Sequence, residues 1–243
     1  MKKAKKSPHL KQMVQALRLV APFCVAARYD DGFKHCVETS VSGAAALRRR
    51  HIIAQPVVCA VMVFKEDGTS GLTIGLSPRQ IYDRARASDG PSLPPFEEWK
   101  EQVARGVPEE EHPIHEIIEA RHNGERALID LTLGQLRQTG IPDSDKIPLT
   151  VMANLKKGWP DLQAPPWRIA YMDSPHDAQV LAESNAKVSR YSNQSFVDDL
   201  SDMMDLAIKE GLELDRVLAE MRRQQPETFK TCIARINALS SRV

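Results

Sequence analysis

A chain of 243 residues, 42% of them hydrophobic and 27% charged, makes one large domain or a domain with an appendage, and needs neither disulfide nor structural metal to build a core. A net charge of +1 and 5% aromatic residues argue against nucleic acid as a partner, and no apolar run approaches the ~20 residues that span a bilayer. The four cysteines, Cys24, Cys36, Cys59 and Cys232, show no CxxC spacing, so neither a disulfide framework nor a zinc finger is expected, and at least one free thiol is.

In chain order, residues 1–9 with the basic start MKKAKK read as a flexible tail. LKQMVQALRLVAPF is too polar for a signal-peptide core, which predicts a cytoplasmic protein; a specialised secretion route would leave no such mark. Leu10, Met13, Val14, Leu17 and Val20 form a helical stripe that Pro22 is expected to interrupt. ARYDDGFKH, with Asp31-Gly32, reads as a loop. CVETSVSGAAALRRR predicts a helix that Cys36 opens and that Arg48, Arg49 and Arg50 complement at its C-terminus. Pro56 to Phe64 is a β-branched run expected to be a buried strand, followed by a turn at Glu66-Asp67-Gly68.

Ser77 as N-cap and Pro78 at the first helical position open a helix through about Ala87. After the loop SDGPSLPP, PFEEWKEQVARG predicts a second helix with Gly106 past its end. Together they make an insertion over 76–111. Past the acidic connection EEEH come two short arms about Asn123-Gly124, then strands at PLTVMANL and PWRIAYM. Beyond Pro175 the pattern is helical, near Asp177–Ser189, Phe196–Lys209, Leu214–Arg223 and Glu227–Leu239. The stripe Phe196, Leu200, Met203, Met204 and Ala207 fits packing on the core. The expected organisation is α+β: an antiparallel sheet with N-terminal helices in a core over 10–175, and a helical C-terminal region over 176–243.

The most informative stretch is HEIIEARHNGERALIDLT. Asn-Gly favours a two-residue type I′ turn, whose central residues both take positive φ. His122 then pairs with Glu125, and alternation puts His115, Ile117, Asp130 and Thr132 on one side of the hairpin. Ile118, Ala120, Ile129 and Leu131 take the other side, and a one-residue slip would part His115 from Asp130. A carboxylate beside a histidine fixes its tautomer and raises the basicity of the far ring nitrogen. A thiol at a helix N-terminus is a fitting partner for such a histidine, because that position favours an anion. Cys36, His115 and Asp130 are therefore the candidate constellation for nucleophilic acyl transfer.

A cysteine opening a helix, a strand, then a histidine and an aspartate on the arms of one hairpin resembles the papain-like cysteine-enzyme superfamily, in its transglutaminase-like branch. HCVETS and HEIIEARHNGERALIDLTLGQL carry the likeness, and the layout extends from Phe33 to Met172. The resemblance implies an antiparallel sheet behind an N-terminal helix, with Cys36 as nucleophile, His115 as general base and acid, and Asp130 as orienting residue. It implies a protein or peptide substrate and no cofactor or metal. The tryptophans common beside the cysteine and histidine are replaced by Val37 and Glu116, and the glutamine that papain-type enzymes place before the nucleophile is missing from Arg28–Asp31. An oxyanion hole then needs the Cys36 backbone N–H and a second donor.

His35, Thr132 and Gln135 flank these residues and are candidates for binding substrate or orienting the site. Plainer readings stand beside these. Cys36 can be a small core residue, His115 a strand cap, Asp130 a local backbone acceptor, and Gln135 the start of a turn. Cys59 and Cys232 read as core, Cys24 is the rival nucleophile, and Pro113 within the His112–His115 pair argues against a helical zinc site. The alternative function is a protein-interaction module on the same scaffold.

Overall fold

The computed structural model describes residues 10–29, 35–66, 71–75, 78–89, 93–103, 115–139, 142–154, 159–173 and 194–240. The basic tail, Asp31-Gly32, Asp67-Gly68, Ser77, Gly106, His112 and the helix expected over 177–189 lie outside them. Helix α1 spans Leu10–Arg28 and α2 spans Cys36–Arg48. Strands β1 (Ile53–Lys65) and β2 (Gly71–Ile74) precede α3 (Pro78–Asp89) and α4 (Phe96–Val103). Then come β3 (His115–His122), β4 (Glu125–Asp130), short 3-10 helices at Leu133–Thr139 and Ser144–Lys146, and β5 (Val151–Asn154), β6 (Asp161–Ala164) and β7 (Trp167–Asp173). Helices α5 (Gln194–Lys209), α6 (Leu214–Gln224) and α7 (Pro226–Ser240) follow. This is an α+β fold.

Pro22 does not end α1, contrary to the sequence expectation. Its ring cannot donate to the Arg18 carbonyl, a defect that costs about 3 kcal/mol in a helix interior. Burial of Phe23, Cys24, Val25 and Ala26 beyond it offsets that loss, because each removes apolar surface from water at about 25 cal/mol per Å². Tertiary packing thus carries the helix six residues past the proline.

The sheet is antiparallel, in the order β5-β4-β3-β1-β7-β6, with β2 beside the second half of β1. β1 is its spine: β3 pairs with Ile53 to Cys59, β2 with Val61 to Phe64, and β7 along the other edge from Cys59 to Lys65. Pro56 is tolerated because, among the described residues, β7 pairs only from Cys59 onward, leaving one edge there without a ladder bond to lose.

Both faces of the sheet are covered, which is why β1 reads as a continuous apolar run. Ala54, Ile118, Ala120, Ala127 and Ile129 face the helices. Cys59, Val61, Val63, Ile117, Leu128, Trp167, Ile169 and Tyr171 build a second core on the opposite face. α5 buries Phe196, Leu200, Met204 and Ala207 in the same core as α1 and α2, while Met203 packs at its margin. The Arg49 guanidinium pairs with Asp198 at 2.7 Å, and Arg50 bonds the Ser201 carbonyl and Asp205 at 2.6 Å each. Only part of the arginine run serves its own helix terminus: Arg50 also donates to the Ala46 carbonyl at 3.2 Å. Among the described residues, no helix is long and apolar enough to cross a membrane.

Candidate functional site

Helix α2 begins at Cys36, with His35 as N-cap residue, and the Thr39 backbone N–H donates to the His35 carbonyl at 3.0 Å. Two features hold this helix against β3. The buried Ser40 hydroxyl donates to the Glu116 carbonyl at 2.7 Å, one residue beyond His115. At Gly43 an added Cβ would lie 2.7 Å from Ile118 Cδ1 and 2.9 Å from Leu131 Cδ1, so the helix approaches the sheet more closely than a side chain there would allow. The sulfur is thereby brought to the strand that carries the histidine.

The hairpin turns at Asn123 and Gly124 with φ of 49° and 82°, both positive as a type I′ turn requires. His122 pairs with Glu125 and Ile118 with Ile129. His115 and Asp130 consequently share a face, and His115 Nε2 lies 2.7 Å from Asp130 Oδ2. The carboxylate is held twice more: the Thr132 backbone N–H donates to Oδ1 at 2.9 Å, and the Tyr171 hydroxyl donates to Oδ2 at 2.9 Å. The other ring nitrogen, Nδ1, lies 3.2 Å from the Gln135 side-chain amide, and the imidazole also hydrogen-bonds Cys36. With Nε2 committed to the carboxylate, Nδ1 is the nitrogen turned to the sulfur and the amide.

Burial by itself pushes the imidazole toward neutrality, but the charge and hydrogen bond of Asp130, with the contact to Cys36, outweigh it and raise its pKa to about 10. Burial likewise favours a neutral Asp130, yet His115, the Thr132 N–H and the Tyr171 hydroxyl hold its pKa below the usual value. The charged form of the imidazole is thereby favoured, and in that form the Gln135 amide presents its oxygen to Nδ1, since the amide nitrogen can donate only to the neutral ring. Cys36 retains 8% of its surface, whereas His115 retains none. Cys36, though buried, is the most exposed residue of the three.

Other cysteines are poor rivals. Burial raises the Cys24 thiol far above its ordinary range, with Asp199 and Cys232 adding to it. Burial does the same to Cys59, helped by the charges of Asp130, Cys36 and Glu116; it also raises the Cys232 thiol, which donates to the Phe23 carbonyl at 3.4 Å. A buried thiol in apolar surroundings stays protonated and inert.

Of the flanking candidates, Thr132 donates its backbone N–H to Asp130, and the Gln135 side-chain amide lies 3.2 Å from His115 Nδ1. His35 instead stacks on Tyr29, with ring centroids 3.8 Å apart, and its Nδ1 lies 3.4 Å from Glu38 Oε2. The Tyr29 hydroxyl donates to that same carboxylate at 2.5 Å, which ties the end of α1 to the start of α2. Two contributors escaped the sequence reading, Ser40 and Tyr171. A tyrosine amid the apolar residues of PWRIAYM was the available signal for the second, since a buried hydroxyl needs a partner. A scan against protein-family models, a search of curated proteins and a search of solved structures each found no match to this chain.

Proposed function

We propose that the chain is a thiol-dependent hydrolase or acyltransferase of papain-like type, closest to the transglutaminase-like branch. The observation that carries this reading is the chain of hydrogen bonds from Cys36 through His115 to Asp130. With the thiol proton transferred to His115 Nδ1, Cys36 Sγ attacks the carbonyl carbon of an amide, isopeptide or thioester, and the carbonyl π-electrons move to oxygen. The Cys36 backbone N–H, at a helix start, is the natural first donor to that oxyanion. Collapse of the intermediate expels the amine or thiol, which takes its proton from His115 Nδ1. Water or an amine then gives its proton to Nδ1, attacks the acyl group now held on Cys36 Sγ as a thioester, and releases Cys36. Asp130 keeps the imidazole in one orientation throughout. A protein or peptide is the substrate class proposed.

Cys36→Ala should abolish labelling by iodoacetamide at neutral pH while leaving the circular dichroism unchanged. His115→Ala should slow labelling of Cys36 by about tenfold or more at pH 7, through loss of the cation beside the sulfur. Equal labelling of the wild type and Cys36→Ala would reject the assignment.

The limited exposure of Cys36 favours a second reading, a protein-interaction module in which the three side chains serve as packing. A labelling rate at Cys36 no faster than that of a free small-molecule thiol at pH 7 would select that reading.

A further inference from the structure

A groove of about 620 Å³ is lined by α1, the 3-10 helix at Leu133–Thr139, the segment before β5, and α6 and α7. Its walls are largely apolar, yet two guanidinium groups, Arg18 and Arg137, stand in them. Both are fixed by backbone carbonyls: Arg18 Nη2 donates to Thr150 O at 3.3 Å, and Arg137 Nε donates to Ile147 O at 2.5 Å. Arg137 has the charge of Asp145 nearby. Arg18 has no carboxylate partner among the described residues, and its buried Nε–H has no acceptor. Burial lowers the pKa of both groups, opposing their charge.

A desolvated, uncompensated guanidinium is costly to fold around, and its planar fork matches a carboxylate in two parallel bonds. The groove volume falls within the ~300–1,000 Å³ typical of small-molecule sites, and its lining is apolar with few polar groups. We propose that this groove binds a free single-chain carboxylate amphiphile, its head group on Arg18 and Arg137 and its chain along Leu19, Phe23, Leu149 and Ile236. The anion supplies the charge that Arg18 lacks, and the hydrocarbon covers an apolar wall. The site is independent of the chemistry proposed for Cys36.

Octanoate is the probe, titrated calorimetrically into the full chain, with octanol and acetate as controls. Octanoate should bind saturably, with octanol and acetate each at least tenfold weaker. Arg18→Gln should weaken octanoate about tenfold or more, since hydrogen bonds to a charged group are lost. Leu214→Asp sets a negative charge at the groove's lining, at a residue 41% exposed. It should weaken binding similarly, and it serves as the test if Arg18→Gln does not fold. Octanol or acetate binding as tightly as octanoate, or unchanged octanoate affinity in the folded variants, would overturn the proposal. So would a lack of octanoate binding, including the case in which the chain binds phosphatidylglycerol vesicles instead.

Discussion

At the scale of single residues, Asp130 is the hub, because its carboxylate accepts from an imidazole, a backbone amide and a phenol at once. Tyr171→Phe removes one of these donors from a buried charge. It should lower unfolding free energy by about 1–3 kcal/mol in urea and slow Cys36 labelling. The pair also sets a pH dependence. His115 has a folded pKa of about 10 against an ordinary 6.5, so its stabilisation is full below about 6.5 and is lost as pH rises through about 10. Asp130 is depressed from 3.8, so its stabilisation is present above that value and is lost as pH falls through the lower, folded one. Wild-type stability should therefore fall between pH 6.5 and 10 relative to Asp130→Asn, and parallel pH curves for the two proteins would contradict this. The three principal residues were legible because a hairpin's register and a helix's first residue are local properties. Tyr171 was not, since it reaches Asp130 through the order of strands in the sheet, which no local pattern encodes.

At the scale of elements, the spacing between α2 and β3 depends on Gly43. Gly43→Val would force Ile118 and Leu131 aside and should cost about 1–3 kcal/mol, with a fall in Cys36 labelling as the helix is displaced. Ile118→Val removes the nearest obstructing atom and should recover part of the loss, a coupling that a double-mutant cycle would measure. Absence of any coupling would mean that the helix adjusts elsewhere. Most elements were legible from periodicity, including the hairpin and the three C-terminal helices. β2 and β6 were not: each has four residues, and β6 alternates between exposed and half-buried positions, too little apolar signal to mark a strand. Pro22 misled for a related reason, because a proline's local cost says nothing about how much surface the helix buries beyond it.

At the scale of the whole molecule, the C-terminal helices share one hydrophobic core with α1 and the sheet. Leu200→Ala should accordingly cost about 2–5 kcal/mol of global stability, although the residue is remote in sequence from the site. Tryptophan fluorescence, to which Trp159 and Trp167 of the second core and Trp99 contribute, and helical circular dichroism should follow a single denaturant transition. Two separated transitions would show that α5–α7 fold as an independent unit. The α+β organisation was readable from the chain, but the continuity of this core was not, because it joins segments such as Phe23 and Cys232 that lie 209 positions apart.

The fastening of Ser40 to Glu116 bridges 76 positions, and that interval has a meaning during synthesis. At ~5–20 residues per second, several seconds separate the synthesis of Cys36 from that of His115. Until the second arrives, the Cys36 side chain lacks the imidazole that faces it in the folded chain. On the reading proposed for Cys36, reactivity would therefore wait for completed folding, and a misfolded copy would be chemically quiet as well as unstable.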